Sequence, residues 1–157
     1  MAIESKQAGR PVAPTGGAFL IERQSADQVL VPEAFDDELR MFAGTAKAFV
    51  EREILPDFEA LEALDYELSR RKMAKAGELG LLGVEIPEEY GGLGAGKAAS
   101  AVITEAIAGS GSFNVTFSAH SGIGTLPIVY FGTEAQKAKY LPKLASGEWI
   151  AAYCLTE

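Results

Sequence analysis

One glycine-rich segment has the residue types of a nucleotide-binding loop. Residues 91–97 are Gly-Gly-Leu-Gly-Ala-Gly-Lys, which match a phosphate-binding loop as far as its lysine. The next residue is Ala98, where Mg²⁺ coordination needs a Ser or Thr hydroxyl, and residues 84–90 contain a proline and three glutamates instead of a buried strand. The segment is therefore predicted to be a loop that needs positive φ between two helices.

Three further sets of side chains have the types used in catalysis. Glu85, Glu88 and Glu89 could form a carboxylate cluster for acid-base or metal chemistry, but a solvated loop explains them with less. His120, the only histidine, has no Ser or Cys nucleophile at a recognisable spacing and is predicted to be buried and hydrogen-bonded. Cys154 has no flanking base and is predicted to be a small strand residue. None of these sets forms a self-contained catalytic centre.

Composition excludes several classes of protein. The net charge of -8 argues against nucleic-acid binding, which needs clustered Lys and Arg. One cysteine and one histidine exclude an intrachain disulfide and a four-ligand Cys/His zinc site. Because no apolar run reaches about 18 residues and no signal peptide is apparent, we expect a soluble cytoplasmic protein without a transmembrane segment.

Apolar periodicity predicts the elements that would position these residues. Residues 1–31 are predicted to be a mobile arm, residues 32–55 an amphipathic helix stopped by Pro56, and residues 66–79 a second helix. Residues 98–108 are small and apolar, which predicts a closely packed buried helix. These segments belong to a helical domain predicted over residues 32–147.

The second half of the chain is predicted to contain two more helices and one strand. Residues 113–131 are almost uncharged, which predicts a helix buried on most sides and interrupted near residues 122–124 and Pro127. A capping box at residues 133–136 starts a helix that is predicted to end near Pro142. Residues 149–155 are predicted to form a strand, so the fold class is all-α, with residues 148–157 beginning a β domain.

Five sequence blocks resemble the acyl-CoA dehydrogenase family, in the family's order and at similar spacing. They are Ala-Gly-Glu-Leu-Gly-Leu-Leu-Gly at 76–83, Pro-Glu-Glu-Tyr-Gly-Gly-Leu-Gly at 87–94, Phe-Gly-Thr-Glu-Ala-Gln-Lys at 131–137, Tyr-Leu-Pro-Lys-Leu-Ala-Ser-Gly-Glu at 140–148 and Tyr-Cys-Leu-Thr-Glu at 153–157. The resemblance covers about residues 32–157. Residues 17–21 also resemble bacterial relatives near the very-long-chain branch.

This resemblance implies an FAD enzyme that desaturates a fatty acyl-CoA between its α and β carbons and is reoxidised by electron-transferring flavoprotein. By the resemblance, Tyr153, Leu155 and Thr156 belong to the first flavin-contacting strand, although Thr156 also suits any strand as a β-branched residue. Val115, Thr116 and Ala119 fall where the family lines its acyl tunnel, and core packing is the other interpretation. The resemblance also implies that the parent enzyme is a homo-oligomer.

The family continues beyond this point with Pro-x-x-Gly-Ser-Asp, a second flavin strand and, much later, a glutamate base. The chain is therefore expected to be part of the enzyme, to hold FAD weakly or not at all by itself, and to have no catalytic residue. Two other hypotheses remain: a stand-alone helical binding or assembly module, and part of an acyl-CoA oxidase or flavin monooxygenase of the same fold.

Overall fold

The structure is a computed structural model of the 157-residue chain, and it describes residues 20, 21, 23, 35–154 and 156. The predicted arm over residues 1–31 lies outside the described residues except at three positions. Residues 1–36 and 37–157 form two separate units. Every α-helix of the described residues lies in the second unit.

The described residues contain seven α-helices and no β-strand, which confirms the predicted all-α fold. The helices are α1 Asp37–Phe49, α2 Phe58–Glu62, α3 Tyr66–Glu78, α4 Gly96–Ile107, α5 Ser112–Ser118, α6 Leu126–Phe131 and α7 Glu134–Ala145. A first π turn, Val50–Ile54, follows α1, and a second π turn, Ala119–Gly124, follows α5. Two 3₁₀ turns lie at Leu55–Asp57 and Glu88–Tyr90. None of the described helices has the length and hydropathy to cross a bilayer.

The first helix does not stop where the proline predicts. Helix α1 begins at Asp37, and the chain continues through the first π turn and a 3₁₀ turn directly into α2. Pro56 lies at the start of that 3₁₀ turn, where a missing N–H breaks no helical hydrogen bond. The predicted stop at Pro56 was therefore wrong.

The second helix and the glycine-rich loop form as predicted. Helix α3 starts after Asp65, whose Oδ1 accepts a hydrogen bond of 2.9 Å from the Leu68 N–H. The loop before α4 adopts positive φ at Gly91, Gly94 and Gly96, with values of 83°, 59° and 80°. Residues that carry a Cβ rarely adopt a positive φ, so glycine is favoured at these three positions.

Helix α4 packs closely against a neighbour, as predicted, but only one of its faces is buried. Its buried residues are Ala99, Val102, Ile103 and Ile107, and its exposed ones include Ala98, Ala101, Thr104 and Glu105. The buried face packs against α1. Alanine is common both in cores and on helix surfaces, so the small residues alone did not decide burial.

The segment from α5 to α6 is interrupted as predicted, at the second π turn. Its inner side chains Phe113 and Phe117 are 1% exposed, whereas Val115 is 69% and Phe131 86% exposed. The expectation that this segment is buried on most sides was therefore wrong within the described residues, because one whole face carries apolar side chains at the surface.

Helix α7 begins with the predicted capping box, in which Thr133 Oγ1 accepts from the Gln136 N–H and the Gln136 side chain accepts from the Thr133 N–H. It continues past Pro142 to Ala145, so the predicted end was wrong. Leu141 and Leu144 are buried on either side of Pro142, and their packing outweighs the lost backbone hydrogen bond.

The strand predicted for residues 149–155 is not formed. Residues 150–154 and 156 have no regular structure, and Leu155 lies outside the described residues. A strand needs a partner for its backbone hydrogen bonds, and the described part of the chain offers no second strand. Residues 148–154, called the exit segment below, instead follow a turn at Gly147, where φ is 75°.

Candidate functional site

An open groove of about 310 Å³ lies between the α2–α3 connection and α5. Its lining residues are Leu61, Leu64, Asp65, Tyr66, Ser69, Ser112, Phe113, Val115 and Thr116. Two of the three predicted substrate residues, Val115 and Thr116, are therefore part of its wall. Ala119 is half-buried and lies about one helical turn further along, at the start of the second π turn and outside this lining.

The α2–α3 connection is held in shape by a helix-ending motif. The Asp65 N–H donates to the Ala60 carbonyl at 3.1 Å and the Leu64 N–H to the Leu61 carbonyl at 3.0 Å, the two bonds of a Schellman motif. Leu64 takes the left-handed position, with φ of 64°, where glycine is usual. Its side chain is 58% exposed at the groove, so backbone strain is retained at a position that presents an apolar side chain.

A carboxylate fastens the opposite wall to this connection. Glu62 Oε1 accepts a hydrogen bond of 2.6 Å from the Ser112 N–H at the start of α5. This bond, with a further one from the Ser112 side chain, lowers the pKa of the Glu62 carboxyl. Gly111 precedes it with φ of 61°, and a Cβ there would lie 2.4 Å from Glu62 Oε1. The glycine therefore allows the two walls to approach.

The inner side of the groove is aromatic. The Phe113 ring packs against Phe49 of α1 with 5.9 Å between centroids and against Phe117 with 6.4 Å. Of the polar lining groups, the Asp65 carboxylate is engaged in capping α3. Among the described residues, no group of three or more His, Cys, Asp or Glu side chains could hold a metal ion. The lining is mainly apolar and aromatic, which suits an apolar ligand.

Two of the residues predicted to contact a flavin are exposed: Tyr153, in the exit segment, is 55% exposed, and Thr156 lies just beyond that segment. Leu155 lies outside the described residues. The exposed Thr156 hydroxyl and the non-helical backbone of residues 152–154 are available to a polar ring edge, so these residues fit one side of such a group.

The other candidate residues have structural partners. Lys97 pairs with Glu85, which also accepts from the Tyr130 hydroxyl at 3.3 Å, so the lysine of the glycine-rich loop is held by a carboxylate. Glu85 is thus not simply solvated, whereas Glu88 and Glu89 are exposed. These contacts agree with the rejection of a phosphate-binding loop.

His120 is buried and hydrogen-bonded, as predicted, with bonds from both ring nitrogens. Cys154 is exposed and lies in no strand, so its predicted place in a strand was wrong.

Sequence reasoning missed the residues that complete the groove, Leu61, Leu64 and Tyr66. They are about fifty residues from α5 along the chain. The two walls are joined by the hydrogen bond from the Ser112 N–H to Glu62 and by one of 3.4 Å from the Ser112 hydroxyl to the Leu61 carbonyl. The N-capping Asp65 and the glycine at 111 were visible local signals of the two turns.

The fold and the groove define a class: an all-α domain with an open, mainly apolar groove between its α2–α3 connection and α5. The family model described as "Acyl-CoA dehydrogenase, N-terminal domain" matches residues 36–148. This match covers well over half of the chain, and the chain belongs to the acyl-CoA dehydrogenase family.

Individual relatives agree with the family model. The chain is 56% identical over 142 residues to a protein of Bacillus subtilis (strain 168) described as "Probable acyl-CoA dehydrogenase", covering 90% of this chain and 24% of that protein. It is 51% identical over 82 residues to the human mitochondrial very long-chain specific acyl-CoA dehydrogenase, covering 51% of this chain and 12% of that protein. The crystal structure of a Bacillus anthracis acyl-CoA dehydrogenase complexed with FAD superposes with a TM-score of 0.85 at 52% identity, covering 90% of this chain and 24% of that one. The chain thus spans about a quarter of the length of its more fully aligned relatives.

Proposed function

We propose that this chain forms the N-terminal helical part of an FAD-dependent acyl-CoA dehydrogenase that desaturates fatty acyl-CoA thioesters between their α and β carbons, in fatty acid β-oxidation. The observation that carries the proposal is the apolar groove beside Val115 and Thr116 in a chain of this family. A saturated acyl chain is the ligand that such a wall stabilises by removing carbon surface from water.

In the proposed enzyme, the groove residues bind and align the acyl chain, and Ala119 continues the same wall towards the exit segment. Tyr153, Leu155 and Thr156 would hold one edge of FAD, through backbone groups and the Thr156 hydroxyl. When bound, FAD supplies the acceptor for the two electrons removed from the substrate. No described residue of this chain is proposed as the catalytic base.

The proposal includes the wider setting of the reaction. Electron-transferring flavoprotein is the proposed electron acceptor, and a homo-oligomer is the proposed assembly. The exposed apolar side chains of Val115, Ile123 and Phe131 support a face covered by another part of the enzyme. The single cysteine supports a reducing compartment, for which we propose the cytoplasm.

The direct test uses the purified enzyme that contains this chain, under anaerobic conditions. Saturated acyl-CoA thioesters from short to very long chain are added, and flavin absorbance and enoyl-CoA formation are followed. Loss of flavin absorbance together with the α,β-unsaturated product is expected, with electrons passing on to electron-transferring flavoprotein. If the substrate-reduced enzyme passes no electrons to electron-transferring flavoprotein but forms hydrogen peroxide when it is afterwards exposed to air, it is an oxidase. No reaction with any thioester would overturn the proposal.

A further inference from the structure

The first part of the exit segment is held by a histidine with a fixed proton. His120 has no exposed surface; its Nδ1 lies 3.0 Å from the Ala151 nitrogen and its Nε2 lies 3.1 Å from the Leu144 carbonyl oxygen. A backbone N–H can only donate and a carbonyl can only accept, so Nδ1 carries the lone pair and Nε2 carries the proton. One neutral tautomer therefore ties Ala151 to the end of α7.

A glycine in the same π turn makes room for Ala151. A Cβ built at Gly124 would lie 2.6 Å from the Ala151 Cβ, 3.1 Å from the Ala151 carbonyl carbon and 3.0 Å from the Ala119 carbonyl oxygen of its own turn, all closer than ordinary contact. Gly122, two residues earlier, has nothing within 4 Å of such a Cβ. The absence of a side chain thus matters at Gly124 for the approach of Ala151, and it does not matter in this way at Gly122.

The second π turn, which carries His120 and Gly124, is itself stabilised by a hydrogen bond. The Thr125 hydroxyl, buried, donates to the His120 carbonyl at 2.6 Å. Ala151 also packs on the buried cluster formed by Ile86, Leu141, Leu144 and Ala145. Ala151 is therefore placed by a hydrogen bond, a close approach and apolar packing at once.

We propose that His120 and Gly124 form a docking site for Ala151 that sets the position of the exit segment, with His120 acting as a positioning residue for Tyr153 and Thr156. Tyr153 follows Ala151 by two residues, and His120 follows Thr116 of the groove lining by four. The site thus connects the helical wall to the predicted flavin-contacting residues. Its effect on flavin rests on the proposed function, whereas the docking of Ala151 does not.

The protonation state is measured first, on the 157-residue chain. Because His120 is the only histidine, its ring gives the only imidazole ¹⁵N signals of the protein. The expected spectrum at neutral pH shows an unprotonated Nδ1 and a protonated Nε2. A spectrum with the proton on Nδ1, or with rapid averaging between the two nitrogens, would overturn the assignment.

Two substitutions then separate the two hydrogen bonds. In His120→Asn, the side-chain oxygen takes the place of Nδ1 and can still accept from Ala151; in His120→Gln, the amide nitrogen takes the place of Nε2 and can still donate to Leu144. Both lose the ring, so a purely structural role affects them alike. We expect Ala151 amide exchange to become about tenfold faster in His120→Gln and to stay near the wild-type rate in His120→Asn. Equal acceleration in both folded variants would contradict the proposal.

Gly124→Ala provides an independent arm, with Gly122→Ala as its matched control in the same turn. The first should accelerate exchange of the Ala151 amide and the second should not, while circular dichroism verifies that both retain their helices. Equal rates in the two variants would overturn the close-approach argument. If neither histidine variant folds, the ring ¹⁵N spectrum and this glycine pair still decide the docking of Ala151.

The flavin arm uses the same variants in the enzyme that contains this chain. His120→Gln and Gly124→Ala should bind FAD several-fold more weakly than their controls His120→Asn and Gly122→Ala. Altered exchange with unaltered FAD affinity would remove His120 as a positioning residue for Tyr153 and Thr156. A wild-type enzyme that binds no FAD would instead overturn the proposed function and leave the docking of Ala151 to the exchange result.

Discussion

The two π turns of the domain are stabilised by different kinds of side chain. In the first π turn, Val50 and Ile54 are 7% and 0% exposed, and the Leu55 N–H closes the turn on the Val50 carbonyl. In the second, the buried residue is His120, and a side-chain hydroxyl satisfies its carbonyl. The first turn is a piece of apolar core, whereas the second is a polar site that receives another segment of the chain.

This difference shows how an irregular helix acquires a specific role. A π turn widens the helix and disturbs its regular hydrogen bonds. Where hydrocarbon fills the space, the consequence is stability alone. In the second turn, the His120 ring donates to the Leu144 carbonyl and accepts from the Ala151 N–H. Gly124 leaves room for the Ala151 backbone, and the Thr125 hydroxyl bonds to the His120 carbonyl.

The largest expected effect comes from emptying the first π turn. Ile54→Ala removes a side chain with no exposed surface, and we expect a loss of about 3 kcal/mol in the free energy of unfolding, from lost apolar burial and the cavity left behind. Urea unfolding followed by circular dichroism measures it. The neighbouring Leu55→Ala, at a side chain 48% exposed, should cost less than about 1 kcal/mol. Equal losses would mean that the first turn is not held by packing.

Removing the Thr125 hydroxyl should destabilise the second π turn. Thr125→Val keeps the shape of a buried side chain but leaves the His120 carbonyl without its 2.6 Å hydrogen bond, at an expected cost of about 2 kcal/mol. Thr104→Val is the control, since the Thr104 hydroxyl bonds to the Ser100 carbonyl on an exposed helix surface. There we expect a change within about 0.5 kcal/mol, because water can replace the bond. A neutral Thr125→Val would show that the second turn does not depend on polar satisfaction.

A smaller effect is expected from the titration of His120 in the second π turn, which makes the free energy of unfolding depend on pH. Burial lowers the pKa of His120 below 6.5, and the Leu144 carbonyl opposes this; no charged side chain of the described residues contributes. The unfolded chain therefore binds the proton more readily. The contribution of neutral His120 is complete above about pH 6.5 and is lost as pH falls through the lower, folded-state pKa, by at most about 1.4 kcal/mol per pH unit.

The measurement is the difference in unfolding free energy between the wild type and His120→Asn across this range, since the carboxylates titrate alike in both. A difference that shrinks on acidification is expected. One that stays constant would show that the buried ring is not the group that titrates.

Local signals predicted the fold where the chain decides structure over a few residues. The periodicity of α3, the Asp65 cap and the capping box at Thr133 and Gln136 all formed as expected, because their partners lie within four residues. Pro56 and Pro142 misled for opposite reasons: the first sits at the start of a 3₁₀ turn, where it is harmless, and the second is overridden by buried leucines on either side.

Features that depend on distant partners were not predictable in the same way. The expected strand at residues 149–155 needs a second strand, and the groove needs the α2–α3 connection beside α5. His120 was predicted to be bonded, but the identity of its partners, Leu144 and Ala151, follows only from the packing of α7 and the exit segment against the turn. The candidate substrate residues came from the family resemblance, and Val115 and Thr116 are the two that the structure brings to one groove.

The smallest effect on stability should come from the groove wall, and it distinguishes α5 from both π turns. Val115 is 69% exposed, so Val115→Phe should change the free energy of unfolding by no more than about 0.5 kcal/mol. In the proposed enzyme, the larger ring occupies groove volume, so the longest acyl-CoA that is turned over should become shorter, and Ala119→Phe should act in the same direction. Ala138→Phe, at an exposed position of α7, is the matched control and should leave chain-length preference unchanged. If preference is also unchanged in Val115→Phe, this face of α5 does not contact the acyl chain, and its exposed apolar side chains serve contacts with protein instead.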